Sequence, residues 1–244
     1  MEAAGDAVPI GRKVARMRSS VGGAGLLAAG VLTLAACGAG ERPLPDMGTD
    51  TALRELPEPT TGQPGELEAA ITDRRSVRSF DDAPVTDAQL GQLAWAAQGR
   101  TGADGGRAAP SAGATYPLEL LAVTADGVAR YHPDDHALSD HLDDDQRSAL
   151  ARAAHGQEWL ADAGLVLVVT GVIARTAERY GDRAERYVLL EAGHAAQNVL
   201  LQAVALELGA TPVGAFDAAE VRAALDLPAD EEALYLLAIG VPAD

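Results

Sequence analysis

The sequence predicts an α+β domain in which a sheet is sandwiched by helices, one of them long and central. Three observations carry this. A hairpin pattern sits near the middle of the chain, a continuous apolar run follows it, and a long apolar helical pattern with a few polar groups precedes two further strand patterns.

In order, "GELEAAITDRRS" has Leu67, Ala70 and Ile71 at helical spacing, and "VTDAQLGQLAWAAQG" places Leu90, Leu93, Ala94 and Ala97 on one face, with Thr86 or Asp87 as N-cap. Residues 99–115 carry too many glycines and alanines in turn patterns for a regular element. "LELLAVTA" and "VARYH" flank Asp126-Gly127, a dipeptide suited to a tight hairpin turn. "ALSDHLDDDQRSALARAA" reads as an acidic loop leading into a helix, and the run at 165–172, "LVLVVTGV", as a strand covered on both faces. From about Arg183 to Leu208 the chain is apolar nearly all round, which predicts a buried helix, with Glu191, His194, Gln197 and Asn198 in its middle. The last three are read as structural polar groups within it. "TPVGAF" and "ALYLLAIG" are strands, and "DAAEVRAAL" is a helix between them.

The chain before residue 65 has a different character. Arg12, Lys13, Arg16 and Arg18 precede an apolar stretch, Val21 to Ala36, that ends at the only cysteine, Cys37. Residues 1–37 are thus expected to be a signal peptide ending at a cysteine that becomes lipidated, since "LAAC" resembles the lipobox of bacterial lipoproteins. Met17 opens a shorter signal of the same kind. Residues 38–64, rich in Pro, Gly, Thr and acidic groups, are expected to be a flexible tether, and 65–244 the folded domain. The expected location is the extracytoplasmic side of a bacterial membrane, with the lipid as anchor.

With 36 acidic against 19 basic residues and a formal charge of −17, the chain would repel nucleic-acid phosphates, so no nucleic-acid partner is expected. Arg74, Arg75 and Arg78 around Ser76 stand out against that charge. Guanidinium groups bind phosphate oxygens through paired donors, and a hydroxyl adds a short-range one. A single phosphate monoester suits such a cluster. Neither a G-x-G-x-x-G after a strand nor a G-x-x-x-x-G-K-[ST] is present, so a Rossmann site or P-loop does not account for it. "YHPDDHALSDHLDDD" gathers His132, His136 and His141 among carboxylates; it reads as an exposed acidic loop, and no metal site is expected.

"RRSVRSF", "PSAGATYPLELLAV", "GQEWLADAGLVLVVT", "RYVLLEAGHAAQNVLLQAVALELGATPVGAFD" and "LYLLAIGVP" occur in the order found in the nitroreductase family of FMN flavoproteins. They look most like its SagB-type dehydrogenase branch. The resemblance covers about residues 65–242 and implies a nitroreductase-like fold with a central, mainly antiparallel sheet. It also implies an FMN phosphate and ribityl site at Arg74, Arg75, Ser76 and Arg78. Pro110, Ser111, Ala112 and Gly113 would lie against the flavin ring, usually from the partner subunit. Gln157 would pair with the polar edge of the flavin, and Val213, Gly214 and Ala215 would contact the ring or ribityl chain through their backbone. A homodimer with sites at its interface follows from the resemblance, as does a small-molecule substrate, with NAD(P)H as the electron donor. Arg186-Tyr187 resembles a Lys-Tyr pair that azoline-oxidising relatives use in proton transfer. Arginine stays protonated and cannot be a base, which leaves Tyr187 as the catalytic candidate. The implied activity is hydride transfer through flavin N5 to a nitroaromatic or quinone. The alternatives are dehydrogenation of a peptide or small metabolite, and a non-catalytic ligand-binding lipoprotein of the same fold.

Overall fold

The computed structural model describes residues 52–59, 67–102 and 105–243. The signal segment 1–37 with Cys37, and most of the expected tether, lie outside the described residues. Part of that tether is structured. Leu53–Glu55 forms strand β1, paired antiparallel with β4 (Ala137–Leu142), and Leu56 behind it is buried. The folded body therefore does not begin at residue 65. Composition suggested a linker, but three extended residues on a strand edge need no periodic signature.

The sheet has seven strands in the order β1-β4-β3-β2-β5-β7-β6, and every neighbouring pair is antiparallel. Strands β2 (Leu118–Thr124) and β3 (Gly127–His132) form the hairpin expected at Asp126-Gly127. Gly127 takes φ 134°, and a Cβ there would come within 2.3 Å of the Leu142 carbonyl oxygen, so the turn requires glycine. Strand β4 occupies the stretch read as an acidic loop. Its first three residues are buried, and pairing with β3 and β1 overrides the charges that follow.

The apolar run gives β5 (Leu165–Gly171), buried at every position. Leu165, Leu167 and Val169 join one core, Val166 and Val168 the other, because successive side chains leave opposite faces of a strand. The first core is closed by α2 (Asp87–Gln98) and α5 (Ala184–Ala205), the second by α3 (Arg147–Ala153) and α6 (Ala218–Ala224). Alanines at 94, 97, 192, 195 and 196 line the first core, where small side chains let helices approach each other and the sheet closely. Thr86, not Asp87, caps α2: its hydroxyl accepts from the Gln89 amide while the Gln89 side chain accepts from the Thr86 amide at 2.9 Å.

Helix α5 has 22 residues, but it is not enclosed all round. Val188, Glu191, Ala192, Ala195 and Val199 face the core, while Leu189, Leu190, Gly193, His194 and Gln197 are exposed. The expectation of a fully buried helix is corrected: its second apolar face is open in this chain. Short helices α1 (Leu67–Asp73) and α4 (Ile173–Tyr180) and strands β6 (Gly209–Val213) and β7 (Glu232–Gly240) complete the fold. None of the described helices is long and apolar enough to cross a membrane.

A buried ionic network fixes α4 and the loop before β7. Glu231, almost fully buried, accepts two 3.1 Å bonds from the Arg130 guanidinium and one from the Thr170 hydroxyl. Arg130 also approaches Glu119, whose other oxygen pairs with Arg175 of α4 at 2.6 Å. A charge this deep is tolerable only because two donors satisfy it.

Candidate cofactor and active site

The segment after α1 is pinned along the start of β6. Ser76 bridges Ala210, the Val77 amide donates to the Ala210 carbonyl at 3.2 Å, and the Thr211 hydroxyl donates to the Val77 carbonyl. Gly209 allows this, since a Cβ there would meet the Val77 side chain at 2.7 Å. In extended backbone Ser76 and Arg78 fall on the side opposite Val77, and both are exposed while Val77 is half-buried.

The arginines are not equivalent. Arg75 folds back and donates from Nη1 to the carbonyls of Thr72 and Arg74 at 2.7 and 2.8 Å, satisfying the carbonyl end of α1. These bonds place its guanidinium on the helix end. Arg74 and Arg78 form no ion pair with the described residues, in a chain with 36 acidic groups. Arg78 instead lies 5.6 Å over the ring of Trp159. Two guanidinium groups without carboxylate partners are chemically suited to an anion.

Gln157 and Val213–Ala215 lie together beside Trp159. The Gln157 Nε2 donates to the Ala154 carbonyl at 2.9 Å and reaches the Ala215 carbonyl at 3.4 Å, bracing the loop after β6. Its amide nitrogen is thus committed to backbone carbonyls. Gly214 and Ala215 are exposed, and a Cβ at Gly214 would meet only the Tyr235 ring, at 3.6 Å. The backbone there is open to a ligand.

The 110–113 loop forms a second cluster, with no hydrogen bond or ring contact to the first among the described residues. Gly113 adopts φ 62°, followed by Ala114 at 55° and Tyr116 at 44°. Left-handed non-glycine residues cost of order 1 kcal/mol or more each, so side chains must hold this backbone. Arg179 donates to the Gly113 carbonyl at 3.0 Å, Arg175 to the Tyr116 carbonyl at 3.2 Å, and the Tyr116 amide to the Ser111 hydroxyl at 2.9 Å. A side chain on Gly113 would strike the Tyr180 hydroxyl at 2.6 Å. Tyr180 in turn meets Tyr187 edge to face, with ring centroids 5.0 Å apart. Tyr187 therefore belongs to the 110–113 cluster, half-buried near the start of α5.

Beneath the loop lies Glu191. It is 2% exposed, its Oε1 has no hydrogen-bond partner, and burial pushes its carboxyl up to about 7 against the pull of the Ser111 hydroxyl, the Arg107 charge and the Ala112 amide. Sequence reasoning noted Glu191 only as a polar interruption of an apolar helix. It gave no role to Trp159, Arg179 or Tyr180, which carry no local signature. Asn198 donates to the carbonyls of Ala96 and Ala108, a structural role as expected, whereas His194 and Gln197 are exposed rather than inside a buried helix.

The histidines of the expected acidic loop are tied locally. His132 meets the Ser139 hydroxyl at 2.7 Å, His136 bridges Tyr131 and the Pro57 carbonyl, and His141 meets the Leu225 carbonyl at 2.6 Å. A cavity of about 670 Å³ also exists, lined by Asp81, Asp82, Asp140 and Asp162 with Arg54 and Arg147. Carboxylates outnumber its arginines, and none of the residues expected to hold a cofactor lines it.

A single antiparallel sheet lies between two helical layers in an α+β fold, with unpaired arginines beside β6 and a strained glycine loop near α4. The comparisons make this specific. The family model for the nitroreductase family matches residues 71–241. A Methanocaldococcus jannaschii protein provisionally named a nitroreductase is 41% identical over 181 residues, 72% of this chain and 90% of that protein. A crystal structure from Ralstonia eutropha, also provisionally a nitroreductase, is 30% identical with a TM-score of 0.73, covering 84% of this chain and 97% of that one. The NADPH:FMN oxidoreductase of Vibrio harveyi, solved with NAD+, shares the fold at 24% identity and a TM-score of 0.56, over 73% of this chain and 69% of that one. The chain belongs to the nitroreductase family and is an oxidoreductase of that flavoprotein family.

Proposed function

We propose that the chain is an FMN-dependent oxidoreductase whose site is completed by a second copy of itself. The observation that carries this is the pair Arg74 and Arg78, left without carboxylate partners beside Ser76 and the open backbone of Gly214 and Ala215, which follow buried Val213. A phosphate fits the guanidinium pair and hydroxyl, and a flat ring fits an exposed, side-chain-poor loop. FMN held there would supply two-electron hydride chemistry at N5 between a donor such as NAD(P)H and a small electrophile such as a nitroaromatic or quinone.

The protein's part is binding and orientation. Arg74, Arg78 and Ser76 hold the phosphate, while Arg75 stiffens the helix end that presents them. Gln157 braces the Ala215 loop and turns its Oε1 toward the ring edge. Pro110–Gly113 of the partner subunit covers the ring, which accounts for the separation of the two clusters within one chain. Exposed Leu67, Ile71, Leu189 and Leu190, each more than half exposed, supply apolar surface for such a homodimer. Tyr187, delivered with the partner's loop, orients the substrate or donates the proton that accompanies hydride.

A SagB-type dehydrogenase acting on a peptide or small metabolite is the second reading. The Arg186-Tyr187 sequence before "LLEAGH" favours it, although arginine cannot serve as the base that azoline oxidation needs. The basic region, apolar run and Cys37 support export and anchoring by lipid.

The purified full chain is mixed with FMN and then with NADPH under anaerobic conditions, and its absorbance spectrum followed. Flavin bands that bleach support the nicotinamide-driven reductase. Bands that form and do not bleach favour the dehydrogenase, and no binding favours a non-catalytic lipoprotein. Arg74→Ala with Arg78→Ala is expected to abolish FMN retention with unchanged circular dichroism; unchanged flavin content would sink the phosphate assignment.

A further inference from the structure

Helix α4 and the residue before it meet the loop ahead of β2 along most of its length. Arg179 donates to the Gly113 carbonyl and Arg175 to the Tyr116 carbonyl, the Thr176 and Thr115 hydroxyls lie 2.8 Å apart, and the Val172 amide donates to the Pro117 carbonyl at 2.9 Å. Within the loop, the Ala114 amide donates to the Ser111 carbonyl at 3.1 Å, the Thr115 amide to the Ala112 carbonyl at 3.3 Å, and the Tyr116 amide to the Ser111 hydroxyl at 2.9 Å. Ala114 and Tyr116 stand in the left-handed region without being glycine, so this backbone relaxes unless contacts from outside hold it.

Arg175 is the contact that has a support of its own. An exposed arginine loses rotamer freedom when it holds a carbonyl and regains it by letting go. Here the Nη1 that donates to Tyr116 is also 2.6 Å from Glu119 Oε1. The other oxygen of Glu119 is 3.6 Å from Arg130, and Arg130 donates to both oxygens of Glu231 at 3.1 Å. Side-chain exposure falls along this chain from 45% at Arg175 to 21% at Glu119, 18% at Arg130 and 4% at Glu231. Order is therefore passed outward from a buried carboxylate that cannot move without losing its donors. Arg179, the other guanidinium on the loop, has no ion pair among the described residues and lacks such backing.

We propose that Glu119 and Arg175 are positioning residues that preorganise the 113–116 backbone for the flavin ring, with Glu231 as the fixed end of the chain that holds them. The flavin part rests on the reading above; the ordering of the loop does not.

Amide hydrogen exchange of Ala114, Thr115 and Tyr116 in the full chain reads the loop without any cofactor. Arg175→Met keeps an unbranched stem and removes both contacts, whereas Glu119→Gln leaves Arg175 in place and removes its charged support. Both are expected to accelerate these three amides about ten-fold, with β5 and α5 unchanged. Arg175→Lys, a point charge in place of a planar fork, is expected to restore part of the protection. Anything less than acceleration in both variants overturns the proposal, as does acceleration spread equally over β5 and α5, which marks a general loss of stability. The absorbance and visible circular dichroism of bound FMN give a second readout, one that a purely structural role would leave alone. In Arg175→Met and Glu119→Gln the flavin bands are expected to shift and retention to fall several-fold, with Arg175→Lys between them and the parent. A loosened loop with parent-like flavin bands overturns positioning for the ring. Absence of FMN binding in the parent, with the exchange difference intact, removes the cofactor reading and leaves the ordering of the loop by Glu119 and Arg175 standing.

Discussion

Glu191 and Arg78 show how burial decides what a charge does. Arg78 is exposed beside Trp159, so its charge costs little to keep and remains available to an anion. Glu191 is enclosed, and its folded pKa of about 7 stands above the ordinary carboxylate value of 4.5. The folded chain therefore holds that proton more tightly than the unfolded one. The stability linked to it is full below about pH 4.5 and is lost as pH rises through about 7. Glu191→Gln never ionises, so urea unfolding should show the variant gaining on the parent across that window, by on the order of 3 kcal/mol at most. A constant difference between the two at all pH values would mean that the carboxylate is not desolvated.

Elements owe their positions to partners more than to propensity. β1 has three exposed residues and exists because β4 offers an open edge, with Leu56 buried behind it. A chain starting at residue 65 lacks both. It is expected to lose about 1–3 kcal/mol in denaturant unfolding, mainly the burial of one leucine side chain, and to aggregate more readily through the uncovered β4 edge. Equal stability and solubility of the two chains would show that the strand is incidental. The pattern of β5 was readable because both its faces are buried, and the β2–β3 hairpin because its turn needs glycine. β4 was hidden because its carboxylates dominate a window in which only Ala137, Leu138 and Ser139 are buried. α4 was hidden by its polar surface and is held by Arg175 on Glu119 and by Thr176 on Thr115.

For the whole molecule, the open face of α5 is the feature that a single chain leaves unexplained. Leu189 and Leu190 are about half exposed, in a protein whose other large apolar side chains are mostly enclosed. In the proposed homodimer, a second copy of this chain seated there would bury them. Leu189→Asp with Leu190→Asp is accordingly expected to shift the protein to monomer in sedimentation velocity and to reduce FMN retention at least ten-fold, with the fold preserved. A parent that sediments as a monomer yet retains flavin would require the site to close within one chain. The sequence alone determined the layered α+β architecture, the hairpin, the two-faced strand, the long helix and the Arg-Ser segment, because periodicity and turn chemistry act over a few residues. Only the tertiary structure decided that Arg75 folds back onto the carbonyl end of α1, that β1 belongs to the sheet, and that Glu191 lies buried beneath the 110–113 loop. Those outcomes depend on which acceptor, edge or cavity is nearest in space, and that distance is set by residues far apart in the chain.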